Sequence, residues 1–151
     1  MAKFVFRFAG NLRVKLRMEE LKKLEYGKAL AALEAERQKK AAMLLERENT
    51  INSFRDSINK EITPYDLQMH NNYLSLLKNM IIKQDGAIKK AEETAEIKRL
   101  ELVEAMKERK IMEKLREKDR EVFIKEEQLK EQKIQDEIVS YRYSRAQTGG
   151  R

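Results

Sequence analysis

Apolar residues recur along this chain at spacings of three and four, on both sides of one interruption. Before it stand Leu12, Leu16, Tyr26, Leu30, Leu33, Leu44, Ile51, Phe54 and Ile58, with polar intrusions at Glu19, Lys23, Arg37, Lys40 and Arg47. After it the series reads Leu67, His70, Leu74, Leu77, Ile81, Gln84, Ile88, Ala91, Ala95, Lys98, Leu102, Ala105. Alternation of three and four sustained over roughly five heptads is the pattern of a coiled-coil seam. Past Ile111 the phase slips by one residue onto Leu115, Val122 and Leu129. Such a slip is expected where a partner helix ends or changes.

The interruption is Ile62-Thr63-Pro64-Tyr65-Asp66. Proline disfavours the α region for the residue before it and fits best at the first helical position. Thr63 is then the cap, with Asp66 three residues on as a variant capping box. The spacing predicts one helix over about 12–61, a turn at 62–64 and a second helix over about 64–144. A connection this short favours antiparallel neighbours. The expected fold is all-α, a single antiparallel coiled-coil hairpin spanning 1–151, with residues 1–10 and 145–151 flexible.

At 1.5 Å per residue the arms measure roughly 75 and 120 Å. The first can cover the second only to about residue 115. The remainder, bearing Val122, Phe123, Leu129, Ile134 and Ile138, is left as a single helix whose apolar stripe needs a partner. Glu19–Lys23, Glu36–Lys40, Glu121–Lys125 and Glu126–Lys130 are i,i+4 pairs in the favourable orientation and support long helices. Gly27 and Gly86 interrupt them at about 1 kcal/mol each relative to Ala.

Composition sharpens the picture. Of 151 residues 39% are charged and 7% aromatic, with one Pro and no Cys or Trp, the mix of long helices. Without Cys there is no disulfide framework or thiolate metal site. One His excludes His-paired metal ligation and leaves little for acid–base catalysis. No apolar run approaches the roughly 20 residues of a membrane span, and Arg7 cuts Phe4-Val5-Phe6 too short for a signal-peptide core. The expectation is a soluble cytoplasmic protein without catalytic residues, cofactor or metal. The net charge of +7 gathers at the ends: Lys3, Arg7, Arg13, Lys15 and Arg17 at the start, Arg142, Arg145 and Arg151 at the finish, with no acid among them. Two basic ends around a mixed-charge body suggest a docking surface at the termini, or simply solubilising charge.

Other candidates read more plainly as structure. His70 lies on the seam and sets register. A hairpin offers no cleft in which paired carboxylates could shift their pKa values. Gly149-Gly150 has no flanking strand and helix, so it is no phosphate loop. Met106 and Met112 flank the phase slip, and most methionines fill the seam. Phe4, Phe6 and Phe8 form either a docking arm or a disordered start. Tyr141 and Tyr143 beside Arg142 and Arg145 have the flavour of an aromatic-basic nucleic-acid patch, but no binding fold surrounds them and no nucleic acid is expected.

The order of these features resembles the FliJ family, the small coiled-coil component of the flagellar type III export apparatus. The likeness runs from residue 4 to about 143. It is carried by Phe4-Val5-Phe6-Arg7-Phe8, Leu12-Arg13-Val14-Lys15-Leu16, Glu19-Glu20, Tyr73-Leu74-Ser75-Leu76-Leu77, Glu108-Arg109-Lys110, Glu113-Lys114-Leu115 and the closing stretch Glu131 to Ile138. The resemblance implies a two-stranded antiparallel coiled coil, a non-catalytic stalk in the pore of the hexameric export ATPase. It would link that ring to the membrane export gate and assist cycling of export chaperones. It implies a place at the inner face of the cell membrane, held there through partners only. Carried over by matching segments, Tyr73, Leu77, Met80 and Gln84, with Phe54, would face the gate. The ring-facing set would be Arg7, Arg13 and Arg17 with Val122, Phe123, Leu129 and Ile138. Two other readings stand beside this one: a stalk or scaffold of a related secretion system or rotary ATPase, and a nucleic-acid-binding coiled coil.

Overall fold

A computed structural model describes residues 2–149. Gly150 and Arg151, counted above in the fraying tail and the basic finish, lie outside the described residues. Two helices account for most of the chain: α1, Ala9–Ser57, of 49 residues, and α2, Pro64–Thr148, of 85. No strand occurs among the described residues. The helices form the antiparallel hairpin that the single break implied, with α2 the longer. The chain divides into two compact units, one running from Glu20 to Glu104, the other joining the residues up to Glu19 with those from Ala105 onward.

In the unit Glu20–Glu104 the cross-helix partners run in opposite senses: Lys22 with Glu101, Arg37 with Glu92, Lys40 with Asp85, Glu46 with Tyr73. Its buried side chains are Leu33, Leu77, Ala95 and Gln84. Half-buried around them are Tyr26, Ala29, Met43, Ile51 and Phe54 from α1, and His70, Leu74, Ile81, Ile88, Ala91 and Leu102 from α2. The seam expected on α2 is therefore observed from His70 onward. Leu67 is exposed, as are Leu30 and Leu44 on α1, whose places against α2 fall to Ala29 and Met43, and Ile58, which lies past the end of α1. His70 stacks on Phe54, ring centroids 3.9 Å apart and 12° from parallel.

The helix boundaries differ from the pattern-based ones for local reasons. α1 stops at Ser57, four residues early. In its last turns the hydroxyls of Thr50 and Ser57 donate to the carbonyls of Glu46 and Ser53. The Lys60 N–H then closes a tighter turn on the Ser57 carbonyl at 2.9 Å. α1 begins at Ala9 because the chain is already winding there, with the Ala9 N–H on Phe6 O and the Leu12 N–H on Phe8 O. At the far end the Gly149 N–H reaches Arg145 O, so α2 continues to Thr148.

The start of α2 follows its sequence signal. The Asp66 N–H donates to Thr63 Oγ1 at 3.2 Å, while the Thr63 hydroxyl and N–H donate to Asp66 Oδ2 at 2.8 and 3.1 Å. These bonds, the hydroxyl first, hold the Asp66 carboxyl below the usual carboxylate range. Replacing Thr63 with Ala removes the cap and is expected to lower unfolding stability by about 1 kcal/mol. Thr63→Ser should keep most of it, as read by urea unfolding followed by circular dichroism.

Candidate partner-binding surface

No group of His, Asp or Glu among the described residues could hold a metal ion, and no described helix is long and apolar enough to cross a membrane. What the chain presents is surface, different in each of its two units.

In the unit of the two chain ends, the Phe-rich start is packed. Phe6 and Leu12 are buried. Phe4 meets Phe123 with centroids 5.6 Å apart, and Phe8 lies edge-on to Phe6 at 5.9 Å. The Arg7 guanidinium sits 4.7 Å over the Phe8 ring. Contacts of these kinds are worth about 0.5–1.5 kcal/mol each. Residues 4–8, read above as an arm or a disordered start, thus lie against their own unit. A groove of about 370 Å³ runs beside them, walled by Phe4, Val5, Phe6, Leu12 and Leu16 and flanked by Arg13 and Arg116.

On α2 in this unit the seam keeps its phase at all but one turn. Ala105, Arg109, Met112, Asp119 and Phe123 are all half-buried. Ile111, Val122 and Leu129, which mark the expected slip, are exposed, and Leu115 is half-buried. The slip is therefore confined to Leu115, where the in-phase Arg116 is exposed, and the seam resumes at Asp119 and Phe123; elsewhere apolar spacing skips seam positions filled by charged residues. Arg109 fills one. Its Nε faces Glu19 Oε2 across the helix pair, and its Nη1 donates to Glu113 at 2.7 Å. Glu19 is 5% exposed, among the most enclosed side chains of the seam. The guanidinium is held protonated by Glu113 and then by Glu19. Lys15 reaches Glu108 at 2.6 Å. Cover of α2 likewise extends past residue 115, because the N-terminal segment reaches Phe123. From Ile124 to the end every described residue but Glu127 is exposed.

The residues proposed to face a ring all fall in this unit. Arg7, Arg13 and Arg17 are exposed, as are Val122, Leu129 and Ile138, while Phe123 is half-buried under Phe4. The residues proposed to face a gate belong to the other unit and divide sharply. Tyr73 and Met80 are each 40% exposed, with the Tyr73 hydroxyl donating to Glu46 at 3.0 Å. Leu77, 4% exposed, and Gln84 are inside the seam, where Gln84 Nε2 donates to the carbonyl oxygen of Glu36 at 2.8 Å and to its carboxylate. Phe54 is half-buried on His70. Only Tyr73 and Met80 of this set offer substantial side-chain surface.

Sequence reasoning missed the four-charge cluster in the same unit. Lys22 Nζ lies 3.3 Å from Glu25 and 3.1 Å from Glu101, and Lys98 Nζ lies 3.3 and 3.4 Å from the same two carboxylates. The signal was partly present, since Lys98 stands on the α2 seam. Lys22 is shifted upward by Glu101 and Glu25, and both carboxylates are shifted downward, chiefly by Lys22. Of the expected i,i+4 pairs, Lys40 instead crosses to Asp85, Glu36 engages Lys39 and Lys130 engages Glu127.

Two long antiparallel helices joined at one capped proline, with charged pairs along the seam, define a coiled-coil hairpin protein. Residues 6–148 match the family model of the flagellar FliJ protein, and the chain belongs to that family. It is thus a flagellar or type III secretion component. Among solved structures, a protein assigned as a YscO homolog from Chlamydia trachomatis is similar at 19% identity over 94% of this chain and 96% of that one, with a TM-score of 0.44. No curated protein matches.

Glu19→Ala is expected to lower the thermal midpoint more than Glu113→Ala. The first leaves the cation without its enclosed partner, and the second removes a carboxylate that water can replace. Differential scanning calorimetry of the two variants decides it. The cluster also sets a pH response. Glu25 and Glu101 have depressed folded pKa values, so their contribution is complete above the unfolded value of about 4.3. It is lost as pH falls through the folded values. Lys22, raised, contributes below about 10.4 and loses that contribution as pH climbs through its folded value. Charge-neutral replacement of all four residues should flatten the acid-side fall of the thermal midpoint, measured across a pH series.

Proposed function

We propose that this chain is a non-catalytic stalk of the flagellar export apparatus, linking the hexameric export ATPase to the membrane export gate and assisting the cycling of export chaperones. It works at the inner face of the cell membrane, held there by its partners. The observation that supports this reading best is the pairing, within one unit, of a basic N-terminal stretch with a bare helix. Arg7, Arg13 and Arg17 supply the charge, and Val122, Leu129 and Ile138 supply exposed apolar surface along α2. Such surface on a helix with no neighbour calls for a protein partner.

The mechanism needs no titrating group. A helical hairpin lacks six-fold symmetry, so inside a ring of six it touches some subunits and not others. Differential contact biases subunit conformations, and ATP turnover is coordinated by that bias. At the gate, Tyr73 and Met80 make contact, whereas Leu77, Gln84 and Phe54 act by holding the hairpin that presents them.

The test is pull-down with the export ATPase combined with a turnover assay. The full chain should bind and stimulate. Leu129→Asp/Ile138→Asp, which changes only exposed positions, should keep its helicity and lose most of the stimulation. A chain ending after Ile124 keeps the Phe4–Phe123 contact and should behave the same way. Undiminished stimulation by both variants would remove the ring role from the C-terminal segment; no binding by the full chain would remove the stalk reading itself.

A further inference from the structure

Beyond Phe123 the covered face of α2 continues without cover. Phe123, Glu127, Ile134, Ile138, Tyr141 and Arg145 follow one another at spacings of four, seven, four, three and four. They therefore share one face of a straight helix. Ile134, Ile138 and Tyr141 are 56%, 48% and 65% exposed. A shallow depression runs along the same face, lined by Glu137, Ile138, Tyr141, Arg142 and Arg145.

Charge along this segment is graded. Before Ile138 the acids Glu126, Glu127, Glu131, Asp136 and Glu137 outnumber Lys125, Lys130 and Lys133, and after it the last described cations, Arg142 and Arg145, have no acid beside them. Glu131, Arg142 and Arg145 have no ion-pair partner among the described residues. Glu127 has one, Lys130 at 2.9 Å on the same exposed turn, a type of pair that exchanges at little cost.

We propose that this face is an interface between two copies of the chain, whose C-terminal segments pair antiparallel about a two-fold axis. With Ile134 of one copy opposite Ile138 of the second, the symmetry repeats the contact, giving two isoleucine layers at the centre. The same register sets Glu127 opposite Arg145, twice, and brings Arg142 between Lys130 and Glu131, so the Glu127–Arg145 pair carries the charge match. A parallel, in-register pair would instead place each of these charges against its own copy. Sign thus selects the antiparallel arrangement. Three apolar side chains per copy make a small interface, so the pairing is reversible and dependent on concentration. It goes beyond the stalk reading and does not rest on it. Where both hold, the paired form hides Ile138 from a ring.

Sedimentation velocity on the full chain alone, from about 1 to about 500 µM, tests the inference and leaves the stalk reading untouched. The expected result is a monomer that shifts to a dimer as concentration rises. Ile138→Asp should abolish the shift while circular dichroism is unchanged. Arg145→Glu and Glu127→Arg should each weaken it by about tenfold, and Glu127→Arg/Arg145→Glu together should restore it to near the parent value. A chain that stays monomeric throughout, a dimer indifferent to Ile138→Asp, or a double reversal no better than the single ones would overturn the proposal.

Discussion

A seam between two helices is one side chain deep, and the whole structure depends on that limit. No side chain among the described residues is wholly enclosed, and the buried apolar set is Phe6, Leu12, Leu33, Leu77 and Ala95. Apolar burial at about 25 cal/mol per Å² therefore contributes less here than in a globular domain of equal length. Water is never far from any seam position. For that reason charged residues enter the seam without the desolvation penalty of a deep core.

The structure uses that permission. Glu19 with Arg109, and the Lys22–Glu25–Lys98–Glu101 cluster, occupy places that apolar side chains would fill in a thicker fold. Polar layers of this kind fix register because a shifted pairing would set like charges together or leave them alone. Gln84 adds a directional constraint by holding the backbone carbonyl of Glu36 across the helix pair. Specificity of pairing thus comes from hydrogen bonds and ion pairs, and helix formation from residue propensity and one well-formed cap.

Function follows from the same thinness. A two-helix hairpin exposes long faces on which other proteins can dock. The faces differ by position. Along Glu20–Glu104 the side chains on the seam are occupied, and exposed apolar groups such as Leu24, Leu45, Leu76 and Ile82 lie off it. In the unit of the chain ends, α2 after Phe123 retains its full circumference.

The sequence by itself determined the elements. A strict three-four alternation, a single proline with Thr63 and Asp66 around it, and a composition rich in Ala, Glu, Lys and Leu left little besides two antiparallel helices, because these signals are local and each acts within a turn or two of helix. His70, Gln84 and Lys98 were legible as seam positions for the same reason. Tertiary structure decided what no local signal carries. Arg109 belongs to the seam because Glu19, ninety residues earlier, neutralises it. Phe4 is ordered because Phe123 offers a ring, and Lys40 turns from its own helix to Asp85. Those choices depend on which side chains are brought opposite one another, and spacing along one strand of sequence is silent about its partner.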